Sequence, residues 1–538
     1  MIQTVRKLLL LFTLVLSTAI TVPARSEDQA PEPSDPVQAG QTEPALAVDA
    51  GATTGGAKDA DSGAKGDDNR PAYHPFDWLV FNPLWAVTGW IGDANPIGNH
   101  LSAPLESAIP GFRYKGFINS ITQVSTTANQ TVGKGKRDKD WLLQKQEFRL
   151  SNELRYQPRP NLQFVQVSNF QYDGAYNFQD TRGIYDFGGV NQVYYTTFKR
   201  IFREGYVQGD YGLLNFTIGK QIVNWGKIDG KVLDFINASD GRDGVISNIT
   251  DYEWRAIGQW MAVATLKPSE TLNVSLLWNP DFQPNVGAAP GSPYWPTTAA
   301  SPKPGAALAG ELVPSGFDNF TQSEIGGRVD GLFGDFSLSG IYYNGYDRNT
   351  VTFNTDKLKH HTRHNFFGLS SDYATNILGQ RFGLRTEALY TVNQAFGTTD
   401  TTVATRVVYK DTVKVGVNFE TSVGSSEDKY DLSYTLNWTT VPAWNDKVST
   451  LRHSLVHVPS ISHSVHATND KLVLSSAAYI TGGSDYNGMS WQVAGTWRFN
   501  DYITAALKYN DYLGNINDSS YGSYYKLKNV TLDVKYEW

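Results

Sequence analysis

The sequence predicts a transmembrane, antiparallel, up-and-down β-barrel of about 18 strands, in the range 16–18. Three observations point there. Apolar and polar residues alternate with a period of two in segment after segment, the mark of a strand with two unlike faces. Short turns and long loops then take turns along the chain, as they do in barrels with tight turns at one end and long loops at the other. The composition agrees: only 40% of the 538 residues are hydrophobic, yet 13% are aromatic, with 29 Tyr, 14 Trp and 49 Gly. That is too polar to advertise helical spans and suits a barrel with aromatic girdles. With no cysteine, disulfides and thiolate chemistry are excluded. A net charge of -7 argues against nucleic acid as a partner.

Val530–Trp538 is the clearest strand. Val530, Leu532, Val534, Tyr536 and Trp538 alternate with Thr531, Asp533, Lys535 and Glu537. It looks like the C-terminal strand by which bacterial outer-membrane barrels are recognised, so the barrel-assembly machinery is an expected partner. Outer-membrane lipids and lipopolysaccharide are expected around the apolar face.

Four regions follow in order. Residues 1–24 read as a cleaved signal peptide, with Arg6 and Lys7 before the apolar Leu8–Leu16 and the small-residue site Val22-Pro23-Ala24. Residues 25–72, rich in Ala, Gly, Pro and acidic residues, read as a disordered linker, because they cannot bury enough surface to offset ordering. Residues 73–110 carry Phe76, Trp78, Phe81, Trp85 and Trp90 and read as a cap beneath the barrel or a plug within it. Residues 111–538 are the barrel.

Within the barrel, turn formers mark the short connections at Pro158–Asn161, Asp210–Gly212, Lys267–Ser269, Phe333–Asp335, Asn376–Gly379, Ser425–Lys429, Thr468–Asp470 and Asn500-Asp501. Between them lie long loops, the largest being Asn224–Gly258 and Pro280–Thr321. Closure would satisfy every backbone donor and acceptor, with the apolar face on lipid and the polar face on the lumen.

Residues 216–240 read FTIGKQIVNWGKIDGKVLDFINASD. Gly219, Lys220, Gln221, Trp225 and Gly226, followed by Asn237 and Asp240, resemble the signature of the outer-membrane family called domain of unknown function 1302. Ala238 stands where that pattern has Pro, and Trp278–Asp281 and Tyr342–Asp347 are also similar to it. The resemblance spans roughly residues 112–538 and implies an outer-membrane β-barrel. It also implies cooperation with an inner-membrane exporter of lipid-like molecules.

The function expected is passage of solutes through a porin-like channel across the bacterial outer membrane; the alternatives are an export barrel and a barrel enzyme acting on lipids. Arg149, Arg155, Arg328, Arg385 and Arg498 fall on polar strand faces and are expected to line the lumen. Trp225, Asp229, Lys231, Asp234, Asp240 and Arg242 belong to a loop expected to fold inward and narrow the pore. No cofactor or metal is expected: His360, His361 and His364 have only Asp356 nearby to complete a site. Ser454 and Ser462, on a segment with His453, His457, His463 and His466, are the nucleophile candidates, but no nucleophile motif frames them.

Overall fold

The computed structural model describes residues 95, 97–126, 130–132, 135–137, 143–175, 198–228, 232–242, 252–288, 310–377, 380–425, 428–482, 488–514, 521, 524 and 527–538. The expected signal peptide and linker lie outside these residues, as does 73–94 of the expected cap or plug.

Eighteen strands form the wall: β1 Phe112–Ser125, β2 Leu143–Arg159, β3 Leu162–Asp173, β4 Phe202–Tyr211, β5 Leu214–Gln221, β6 Gln259–Ser269, β7 Leu272–Asn279, β8 Glu324–Phe333, β9 Phe336–Tyr346, β10 Arg363–Ile377, β11 Gln380–Gly397, β12 Val407–Gly424, β13 Lys429–Thr440, β14 His453–Val465, β15 Leu472–Gly482, β16 Gly488–Arg498, β17 Ile503–Gly514 and β18 Asn529–Glu537. Each pairs antiparallel with its neighbours in sequence. The sheet closes where β1 meets β18, in a register running from Phe117↔Glu537 to Ser125↔Asn529. Closure removes the edges that lipid could not satisfy.

The short connections fall at the expected turn formers with one correction: Lys267–Ser269 complete strand β6, and the turn is Glu270-Thr271. Gly212 and Gly334 take positive φ (67° and 62°), and Asn469 and Asp470 are left-handed at 54° and 58°. Pro, Gly, Asn and Asp are thus used at one end of the barrel and the long loops at the other.

The outward face is apolar and girdled by aromatics. Trp438, Trp497, Phe148, Phe419 and Tyr172 are among its exposed members. At the closing seam Tyr114 lies 6.0 Å from Trp538. The helix Ala103–Ala108 docks beside it: Glu106 accepts from the Tyr114 amide at 3.1 Å, and the Tyr536 hydroxyl donates to Asn95 Oδ1 at 2.6 Å. This segment lies against the outward side of the seam at the short-turn end.

The inward face is not polar throughout, which corrects the simple expectation of a polar lumen. On β7, β9, β10 and β11 two consecutive apolar residues point to opposite faces. Leu276 is 65% exposed and Leu277 3%; Tyr342 is 41% and Tyr343 0%; Phe367 is 48% and Phe366 6%; Tyr390 is 39% and Leu389 3%. One of each pair meets the lipid side. The other is buried inside the barrel, beneath a loop.

Candidate functional site

That loop joins β5 to β6. Its neck is clamped by Asn237, which donates to the Val223 carbonyl at 2.9 Å and accepts from the Val223 amide at 3.0 Å. Ala238, where the family pattern has Pro, pairs with Ile257 in a two-residue ladder. Proline lacks the amide proton that such a ladder uses.

Past the neck the loop turns into the lumen. Trp225, Val232, Leu233, Phe235 and Ile236 form one apolar cluster with Met261, Leu277, Ile341, Tyr343, Phe366 and Leu389 of the wall. Phe235 stacks on Phe366 at 5.1 Å. Three wall glycines form sockets. A methyl group at Gly326 would lie 2.9 Å from the Trp225 ring, one at Gly368 2.8 Å from Leu233 Cδ2, and one at Gly416 2.7 Å from Val232 Cγ2. Each is closer than packed carbons tolerate, so the wall can receive the loop only where it has no side chain.

Glu387 of β11 is the polar anchor. Its carboxylate accepts the backbone N–H groups of Lys227, of Ile228 at 2.8 Å and of Leu233 at 3.3 Å. Gly226 allows this approach, since a Cβ there would sit 2.9 Å from Glu387 Oε1. Arg328 donates to the Trp225 carbonyl at 3.1 Å while paired with Asp330 at 2.6 Å. Higher up, Arg348 donates to the Ile236 carbonyl at 2.5 Å and to Glu324 at 2.8 Å. The Lys227 ammonium reaches Ser337. Burial pushes its pKa below the usual lysine range, while Asp372 and Asp330 work the other way.

The far end of the loop reaches the opposite wall. Trp254 packs 5.8 Å from Phe117, lies under the Arg149 guanidinium at 4.8 Å, and donates to Gln171 at 2.8 Å. The described parts of this one connection therefore touch both sides of the lumen.

The inner face of β12–β15 is different. It carries small polar side chains, among them Asn418, Ser433, Thr435, Ser460, Ser462 and Ser475. Towards the long-loop end of β14–β17, Tyr521 and Leu527 pack on Val458, Tyr479 and Tyr512.

The site residues expected from sequence divide into groups. Trp225, Arg328 and Arg385 gather around the docked loop; Arg385 pairs with Glu420 at 2.7 Å. Asp229 and Lys231 lie outside the described residues. Asp234 accepts from Asn237 at 3.3 Å, and Asp240 and Arg242 form a buried ion pair at 2.9 Å. The last three brace the loop fold, rather than bringing free charge to the mouth. Arg149 is buried with Glu147, Arg155 is paired with Glu153, and Arg498 is exposed at the short-turn end of β16. Arg149 meets the loop's far end at Trp254, while Arg155 and Arg498 lie on the arc away from the apolar dock.

Sequence reading passed over Glu387 as an anchor and over the loop's own apolar run. The signal was present: Val232-Leu233-Asp234-Phe235-Ile236 is an unlikely composition for a segment meant to stay in water.

The histidine candidates are otherwise engaged. His360 pairs with Asp356 at 2.7 Å, His361 with Glu311 at 2.9 Å, and His364 with the Thr362 hydroxyl at 2.7 Å. On β14, Ser454 and Ser462 point inward, while His453, His457 and His463 pack outward on Trp438, Tyr434 and Tyr430. These serines and histidines occupy opposite faces of one strand and do not form a nucleophile–base pair.

The geometry defines a closed 18-stranded barrel with an apolar exterior and an inward-docked loop. The family model described as "Protein of unknown function (DUF1302)" matches residues 93–501, and the chain belongs to that family. No curated protein matches it. Solved structures of similar shape include OccAB3 of Acinetobacter baumannii (6% identity, TM-score 0.47, covering 80% of this chain and 100% of that one). A BenF-like porin of Pseudomonas fluorescens Pf-5 is also similar (8%, 0.47, 80% and 99%). So is OccK1 (OpdK) of Pseudomonas aeruginosa (8%, 0.45, 80% and 99%). Nothing about function follows from likeness at this level.

Proposed function

We propose that this chain is an outer-membrane channel that passes polar solutes along one side of its lumen. In this reading the short turns face the periplasm and the long loops the outside. The observation that carries it is the division of the interior. A loop with an apolar underside covers β6–β12, and small polar side chains line β12–β15. Water and solutes follow the polar side, because the other is filled. The loop sets the width as a fixed partition. Lifting it would expose five apolar side chains to water, roughly 1.5–3 kcal/mol for each, so thermal opening during conduction is negligible.

Purified protein in planar bilayers should give discrete ohmic steps. Protein that inserts with its native heat-modifiable mobility and carries no current would refute the channel reading.

A further inference from the structure

The short-turn mouth is electrostatically lopsided. Inward positions on β1 and β2 face each other in register as Arg113↔Arg155 and Lys115↔Glu153. Two arginines directly opposite on one face repel, and a wall selected for stability alone would avoid the pair. Glu153 serves both Arg155 and Lys115, the latter at 3.3 Å, and Arg113 makes no ion pair among the described residues. Lys115 and Arg155 keep 62% and 43% of their side-chain surface exposed, so both are presented to solvent.

The same arc continues through β18 to β16. Lys535 pairs with Glu537 at 2.5 Å and lies 4.6 Å over the Phe117 ring, and Arg498 is exposed at the end of its strand. At these positions Arg113, Lys115, Arg155, Lys535 and Arg498 outnumber the carboxylates Glu153 and Glu537, while the neighbouring Lys508–Asp533 pair at 2.8 Å is neutral as a unit. Across the lumen the signs cancel. Arg328 and Arg385, with Lys227 from the loop, stand against Asp330, Asp372 and Glu420.

We propose that Arg113, Lys115 and Arg155 form an anion-binding strip at this mouth, which makes the channel select small solutes bearing a carboxylate or comparable single negative charge. Guanidinium groups suit the task, since their planar donors match a carboxylate in two-point contact and stay charged at every working pH. The inference deepens the channel reading by naming its solute class and rests on it.

Two measurements separate the ideas. In bilayers under a salt gradient, the reversal potential should show chloride favoured over potassium. Arg113→Gln with Arg155→Gln should lower that ratio roughly three-fold with unit conductance little changed. A ratio that does not move in correctly inserted variant channels overturns the proposal. The chain has no cysteine, so a single Gln163→Cys on the inner face next to Arg155 reports local potential without any current. An anionic sulfonate-bearing thiol reagent should react several-fold faster there than a trimethylammonium-bearing one, and the double glutamine variant should erase the preference. Equal rates in the otherwise native chain also overturn the strip. Preferential labelling in a barrel that carries no current would leave the strip standing and remove the channel.

Discussion

The two halves of the lumen wall are built from the same strand geometry and do opposite things. On β6–β11 the inward positions include Met261, Leu277, Ile341, Tyr343, Phe366 and Leu389, and these bury a loop. On β12–β15 they are largely hydroxyls and amides, and among the described residues no comparable apolar loop covers Ser433, Ser460, Ser462 or Ser475. The difference teaches that a strand's second face is read by its neighbours. An inward apolar cluster means a covering element, whereas inward serines occur on both walls, buried at Ser339 and Ser370 and more open at Ser462 and Ser475.

The largest test removes the covering element. Replacing Lys227–Asn248 by a short Gly-Ser linker should raise unit conductance roughly two-fold or more, because the filled half opens to water. It should also make the protein easier to denature, since the apolar wall loses its cover. Unchanged conductance in an inserted barrel would place the narrowing elsewhere. A subtler change fills a socket. Gly368→Leu puts a side chain where Leu233 rests, an overpacking cost of about 1–3 kcal/mol, and should loosen the loop without disturbing the outer surface. The expected result is protease cutting within 227–242 in the intact barrel, with conductance between those of the native and deleted chains.

A third substitution probes the anchor. Glu387→Ala strands three backbone N–H donors, a penalty of about 1–3 kcal/mol for each group left without a partner or water. The melting temperature should fall and single-channel current should become noisier. Glu387→Ala with native noise and native melting would show that the apolar contacts alone hold the loop.

The smallest effect contrasts this inward loop with an outer one. Asp400, beyond β11, has its pKa pushed down to about 2, chiefly by the Thr402 hydroxyl and amide and also by Lys447 at 3.0 Å. A carboxylate depressed in the folded state stabilises above its ordinary range and loses that contribution as pH falls towards about 2. Protection of the Thr402 amide, its exchange rate relative to that of an unstructured peptide at the same pH, should therefore fall on acidification, while protection of the Val223 amide, held by the non-titrating Asn237 side chain, changes less.

Much of the wall was legible in the sequence. Period-two alternation and turn chemistry are local, so the turn before Asn161, Gly212 at positive φ and the closing strand could be read residue by residue. The direction of the Trp225 loop was legible too, because Trp225 continues the phase of Gln221. What it docks on was not. Gly326, Gly368 and Gly416 sit on three different strands, and nothing local marks them as one surface. Glu387 looked like any lumen carboxylate, because its partners are backbone amides roughly 160 residues earlier in the chain. The charge imbalance at the mouth was hidden for a related reason. Arg113 and Arg155 become opposites only through the β1–β2 register.

The most direct test of the partition compares two single cysteines in this cysteine-free chain, Leu389→Cys under the loop and Ser475→Cys on the polar side. A water-soluble maleimide should label Ser475→Cys rapidly and reduce its current, while Leu389→Cys stays unlabelled until the barrel is denatured. Equal labelling of both in the folded, inserted protein would contradict a loop docked on that wall.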